Sequence, residues 1–317
     1  MRKRRLTRDQ ITAILLIAPS LIAIGIFVYG FIIWSGYASL SKWDGIVPDF
    51  RWNGFRNYIR LFGTERFQID LRNTIFFTIV FILACLVIGL FLAIVLDQRI
   101  KGENIFRSIF LFPMAISFIV TGVVWRWLLN PGNQATGALG INLLIHKLGF
   151  RGFNFGWYTN PSIWPGFTIG KLELFVPVGM FAIVLAAVWQ MSGYTMALFL
   201  AGLRGVPDEL REAARVDGAS ETEIYRYIIL PMLQPITLSA VIILGHISMK
   251  IFDLVYAMTP GGGPAFVTDV PSLFMFKTVF QGNHYAQGAA IATIMLLMVS
   301  VLVVPYLINS VRTEVKV

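Results

Sequence analysis

The chain has 317 residues, 56% of them hydrophobic and only 14% charged, with a mean hydropathy of +0.72 and a formal charge of +9. Soluble domains carry about 25% charged residues, and the apolar surplus here is gathered into long blocks, which excludes a soluble enzyme. The basic residues flank those blocks, as topology-setting charges do, rather than forming a nucleic-acid-binding patch.

Six apolar blocks are long enough to cross a bilayer core, which needs about 20 helical residues: 11–34, 74–96, 108–129, 175–200, 232–257 and 286–308. The opening MRKRR resembles the start of a signal peptide, but the following run is too long and lacks a small-residue cleavage site, so it reads as a retained first span. The expected architecture is therefore all-α, with six transmembrane helices: a short cytoplasmic segment 1–10, then a single membrane domain 11–317. With the N-terminus inside, segments 1–10, 97–107, 204–231 and 309–317 are cytoplasmic, as is the C-terminus. Their Lys and Arg density is more than twice that of 37–73, 130–174 and 255–285. Loop 37–73, with six basic residues, runs against that tendency. Trp34, Trp125, Trp127, Trp157 and Trp164 cluster near the outer ends, where amphipathic rings favour the headgroup level. In loop 130–174, GALGINLLIHKLGF predicts a short surface helix. Cys85 lies inside an apolar run, and one cysteine makes no intrachain disulfide.

Between the fourth and fifth blocks the chain turns polar. Pro207 suits a first helical turn, and Asp208, Glu209 and Glu212 place negative charge at the positive end of the helix dipole. Gly218 supplies a C-terminal stop. Ser220, with Glu223 three residues on, predicts a capping box that starts a second helix through IYRYII to Pro231. Ala213 and Ala214 permit close approach of another surface. Two capped helices in so short a stretch favour a docking surface over an ordinary loop.

EAARVDGAS followed by IILP resembles the EAA loop of permease subunits of bacterial ABC importers. TPGGGPAFVTD, GNHYAQGAAIATIMLL and the opening APSLIAIGIFVYGFIIWSGYASLSKWD resemble the carbohydrate-uptake group of those permeases, the maltose and glycerol-phosphate type. The likeness covers nearly the whole chain. It implies the type I importer permease fold in the cytoplasmic (inner) membrane. It implies a second permease subunit, distinct from this one, two copies of an ABC ATPase and an extracytoplasmic sugar-binding protein. It further implies that loop 204–231 couples to the ATPase through Glu212, Ala213, Ala214, Asp217 and Gly218. ATP and Mg would be bound by the partner, because this chain has no P-loop. Its nearest approach, GFTIGKL at 166–172, is one residue short and has Leu172 at the hydroxyl position.

Polar residues deep in spans face a bundle interior or a cavity. The fourth block carries Trp189, Gln190, Ser192 and Tyr194, with Gln190 and Tyr194 one turn apart. The fifth carries His246, Ser248, Lys250 and Asp253, and its i, i+4, i+7 spacing puts His246, Lys250 and Asp253 on one helical face. Hydroxyl-matching groups beside aromatic rings suit a sugar. Trp189, Gln190, Tyr194, His246, Ser248 and Lys250 are thus candidate pathway residues, and polar glue between helices is the competing role. Aligned through the loop, Tyr194 falls on a matching tyrosine of the maltose-type permease. Lys250 is the one obvious intramembrane cation, which favours a neutral sugar over a phosphate ester. His146, His246 and His284 are too dispersed to make a metal site. An ion-coupled secondary transporter is the other class to consider, and its mark would be internal repeats and helices broken at mid-membrane.

Overall fold

A computed structural model describes residues 8–98, 101–169 and 172–314. The basic run 2–5 and residues 170–171 of the 166–172 stretch lie outside the described residues. The helices in chain order are α1 (Arg8–Ile24), continued by a π-helical turn into α2 (Phe31–Ser39), then α3 (Arg56–Phe62), α4 (Glu65–Asp97), α5 (Glu103–Leu111), α6 (Phe118–Leu128) and α7 (Gly140–Lys147). An antiparallel hairpin, β1 (Ile163–Ile169) and β2 (Leu172–Pro177), precedes α8 (Met180–Arg204). There follow α9 (Asp208–Val216), α10 (Glu221–Ile224), α11 (Leu230–Met232), α12 (Gln234–Met249), α13 (Asp253–Met258), α14 (Pro271–Phe276) and α15 (Tyr285–Glu314).

Thr12–Ser39, Glu65–Asp97, Met180–Arg204 and Tyr285–Tyr306 are each long and apolar enough to span a bilayer. The other two expected spans are not single rods. Glu103–Ala115 and Phe118–Leu128 meet at 98°, and Gln234–Met249 of the fifth block meets Glu221–Met232, the end of the 204–231 loop, at 61°. The first bend follows from Pro113, which cannot continue the hydrogen-bond ladder, and from Ser117, whose hydroxyl accepts from Val120 N at 3.3 Å and restarts the helix as α6. The fifth block also breaks at its far end, between Met249 and Asp253. This corrects the expected shared face: Asp253 opens a new helix, so the i+7 relation to His246 does not exist. The fourth span likewise begins at Met180 rather than 175, because residues 172–177 pair as a strand. The second begins at Glu65, more than two turns before the apolar block. The short helix foreseen in 137–150 forms over Gly140–Lys147.

Contacts gather into two units. One comprises residues 1–63 and 275–296. In it, Asn57 Nδ2 donates to the carbonyls of Ser39 (2.7 Å) and Ser41 (2.9 Å), Trp43 stacks on Tyr285 with centroids 4.8 Å apart, and His284 bonds Asp44. The other comprises 64–274 and 297–317 and contains the helices treated below. Its core joins Phe77, Phe81 and Cys85 of α4 to Ile183, Ala186 and Ala187 of α8 and to Leu254 and Val255 of α13. α5 and α8 approach so closely that a Cβ added at Gly193 would stand 1.8 Å from the Phe110 carbonyl oxygen, so only glycine fits there.

Candidate coupling surface and membrane pathway

α9 and α10 form the helix–turn–helix that the sequence predicts. Pro207 sits just before α9 as its N-cap, and Asp208 and Glu209 occupy the first turn. Asp217 is the C-cap. Gly218 follows at φ +85°, with its N–H on the Arg215 carbonyl (3.1 Å) and the Ala219 N–H on the Ala214 carbonyl (3.0 Å), a Schellman stop. Ser220 and Glu223 then exchange both capping-box bonds, at 2.8 and 3.4 Å. The Ser220 hydroxyl, donating to the Glu223 carboxylate at 2.7 Å, and then the Ser220 N–H hold that carboxyl below its usual range, and the Arg215 guanidinium, 2.7 Å from Glu221, does the same there.

The pair has two faces. Ala214 and Ala219 pack on a cluster of Ala93, Leu96, Leu203, Ile224 and Ile229, which seats the turn against the ends of α4 and α8. Glu212, Ala213, Asp217 and Gly218 face outward with Asp208 and Glu209, and Val216 is 87% exposed at the tip. The exposed residues of α9 are thus mostly acidic or small, with the Arg215 guanidinium and two apolar side chains, Val216 and the less exposed Leu210, among them. Of the predicted coupling residues, Ala214 alone is half-buried; its methyl serves the seat rather than the outer face.

Arg211 and Asp97 were not foreseen. Arg211 Nη1 lies 3.0 Å from Asp97 Oδ2, and Arg204 Nη2 lies 2.6 Å from Glu103 Oε1. These pairs bring segments 97–107 and 204–231 to the same end of the spans, as their shared side in the alternation requires. The available signal was Asp97 itself: an acid at a helix C-terminus opposes the dipole and calls for a cation. At other loops of the same unit, Arg66 pairs with buried Asp269 (2.7 Å) and lies over the rings of Phe266 and Phe274 at 4.6 and 4.5 Å. Asn73 Nδ2 donates to the carbonyls of Phe266 and Asp269, both at 2.9 Å, so these groups fix the Gly-rich 259–269 loop.

The pathway candidates divide. Gln190 is buried and its Nε2 donates to the Ile116 carbonyl at 2.6 Å, at the bend before α6. Ser248 is buried and donates to the Gly245 carbonyl within its own helix at 2.9 Å. Trp189 is 39% exposed and meets Trp125 edge-on at 5.9 Å. Tyr194 is half-buried, while His246 and Lys250 are exposed. Lys250 and Asp253 border a cavity of about 150 Å³ with Phe118 and Phe252 at the break between Met249 and Asp253.

Known proteins with this pattern are consistent in kind. The family model "Binding-protein-dependent transport system inner membrane component" matches residues 85–314. A probable ABC transporter permease of Pyrococcus horikoshii is 40% identical over 95% of this chain and 96% of its own length. A xylose/arabinose import permease of Haloferax volcanii is 36% identical over 90% of this chain and 84% of its own. A bacterial alginate ABC transporter, solved in complex with an alginate pentasaccharide-bound periplasmic protein, superposes with a TM-score of 0.72 at 20% identity, covering 93% of each chain. That likeness shows the type I importer permease fold, and the described residues carry four spanning helices, or six where each bent pair crosses as one.

Proposed function

The chain belongs to the binding-protein-dependent transport family of inner-membrane components, and on that premise we propose that it forms half of the pathway of an ATP-driven sugar importer, moved by a separate ATPase seated on α9 and α10. As an ABC importer permease it is a multi-pass protein of the cytoplasmic membrane. The observation that carries the proposal is the outward face of α9: Glu212, Ala213, Val216, Asp217 and Gly218 stand exposed on a turn braced by two independent caps. A braced, exposed turn with acidic residues and one bare valine suits a groove with basic walls and an apolar floor. In this reading ATP and Mg bind the partner, two ATPase copies pull on this loop and on that of a second, distinct permease, and the spans alternate between inward-open and outward-open. An extracytoplasmic binding protein delivers the sugar.

A neutral saccharide fits the pathway candidates better than an anion, since Lys250 is their single cation, and the Haloferax relative is named for pentoses. Trp189, Tyr194, His246 and Lys250 offer a ring, a hydroxyl, an imidazole and an ammonium to such a ligand. Gln190 and Ser248 are buried and donate to backbone carbonyls.

The test is ATP hydrolysis by the reconstituted complex, with and without binding protein, across a panel of neutral sugars. Wild type is expected to be stimulated by one loaded binding protein, Glu212→Lys to abolish that response and Gly218→Asp to weaken it, in complexes that still assemble. Stimulation that survives both substitutions would defeat the docking assignment.

A further inference from the structure

The inward side of α9 is held by one guanidinium. Arg211 Nη1 donates to Asp97 Oδ2 and Nη2 to the Leu203 carbonyl, each at 3.0 Å. Asp97 is the last residue of α4, and Leu203 lies in the last turn of α8. A single planar group therefore fastens α9 to the ends of two spans. The chain itself links α9 to α8 through residues 205–207 and has no covalent path from α9 to α4 shorter than the whole of α5–α8. One residue along α8, Arg204 reaches Glu103 at the first position of α5.

Burial separates this node from its neighbours. The Arg211 and Asp97 side chains are 17% and 9% exposed, against 52% and 62% for the Arg215–Glu221 pair on the same turn. Exposed pairs rearrange and are screened. A sheltered fork with two fixed acceptors keeps its geometry under load. Asp97 and Arg211 also border a cavity of about 840 Å³ with Glu103, Arg204 and Glu212, so on this side of the Ala214 seat α9 meets the spans along a cleft. There the polar tie adds a directional link to the small apolar contact of Ala214.

We infer that Arg211 is a positioning residue that carries displacement of α9 into the second span, α4, by way of Asp97, while the Leu203 carbonyl keeps α8 in the same motion. This rests on the docking reading above. Without the tie, α9 still seats on the ATPase and ATP is still hydrolysed, but the movement reaches α8 through the chain and α4 only through the apolar seat of Ala214, so less of it is passed on.

The experiment uses the full complex in proteoliposomes, with ATPase, partner permease and loaded binding protein. It compares wild type, Asp97→Asn, Arg211→Gln, Arg211→Lys and the Asp97→Asn/Arg211→Gln pair. Each neutralised single variant is expected to retain its ATPase on purification, yet to lose about tenfold in sugar moved per ATP hydrolysed, the scale of one charge-assisted hydrogen bond. The double variant should fall no further than the worse single, because both remove one tie. Lysine, which reaches one acceptor rather than two, should recover part of the loss. Wild-type transport per ATP in both singles, or losses that multiply in the double, would overturn the inference. If Arg211→Gln fails to assemble, Asp97→Asn decides alone: an unchanged ratio refutes the tie, and a lowered one supports it. A wild-type chain that recruits no ATPase fails the docking reading itself, before any variant is compared.

Discussion

Gly218 tests whether the angle of the turn matters to coupling. It sits at φ +85°, and a Cβ placed on it would meet no atom within 4 Å. Any penalty for a side chain there is therefore one of backbone conformation, with no steric part within this chain. The left-handed conformation costs an ordinary L-residue about 1–2 kcal/mol, and asparagine less, because its short polar side chain bonds locally. A cost of about 1–2 kcal/mol changes the ratio of braced to unbraced turn by roughly 5- to 30-fold. Where the partner binds only the braced form, its apparent affinity falls by no more than that factor. Titration of purified ATPase onto the permease in nanodiscs should rank glycine above asparagine, asparagine above alanine, and alanine above valine, whose branched Cβ tolerates positive φ least. Stimulated ATP hydrolysis should follow the same order. If alanine and valine bind like glycine, the turn angle plays no part in docking. If asparagine is as damaging as valine, bulk on the docking face governs the site, and the conformational account is wrong.

Three further substitutions probe the membrane half. Gln190→Leu removes the donor to the Ile116 carbonyl and should cost about 1–3 kcal/mol, read as a lower unfolding temperature of the detergent-solubilised complex; an unchanged temperature would show that the bend does not need it. Gly193→Ala drives a methyl toward the Phe110 carbonyl, an overpacking of about 1–3 kcal/mol or more, and should sharply lower the yield of folded permease. Tyr194→Phe removes one hydroxyl from a half-buried ring and should raise the sugar concentration for half-maximal uptake about fivefold with assembly intact. Uptake identical to wild type would take that hydroxyl out of the pathway.

The parts that sequence made legible are those whose physics is local. The Schellman stop at Gly218 and the Ser220–Glu223 box depend on residues three to six apart, and both form as the spacing requires. The apolar blocks were equally plain, because a bilayer imposes length on each one separately. What stayed hidden is tertiary. Lys250, Ile251 and Phe252 contain neither proline nor glycine, yet the helix stops there. The Ser272 hydroxyl, twenty-one residues on, takes the Ile251 carbonyl at 2.7 Å, and nothing in the local pattern announces it. The hairpin at 163–177 was obscured by Pro165, Gly166 and Pro177, which read as loop residues. Arg211 was passed over in favour of its exposed neighbour Glu212, although Asp97 at the wrong end of a helix dipole was asking for a cation.

The broken helices bear on the choice of mechanism as well as on the fold. Breaks at mid-membrane are the feature that would have favoured an ion-coupled carrier, where unwound carbonyls hold the coupling ion. Here the family assigns the chain to ABC permeases, and the freed carbonyls have other uses. A carbonyl released at membrane depth must be satisfied by something. Ile116 is satisfied by Gln190 and Ile251 by Ser272, both side chains of the same unit. Each of these two carbonyls thus has one acceptor position already taken by a side chain of the chain itself. The same accounting sorts the polar residues of α8 and α12. Gln190 and Ser248 spend their donors on backbone and lie buried, whereas Trp189, His246 and Lys250 keep exposed surface and Tyr194 keeps part of its own. Substrate selectivity should accordingly respond to substitution of those four, while changes at Gln190 and Ser248 should act through stability and leave the ranking of sugars unaltered.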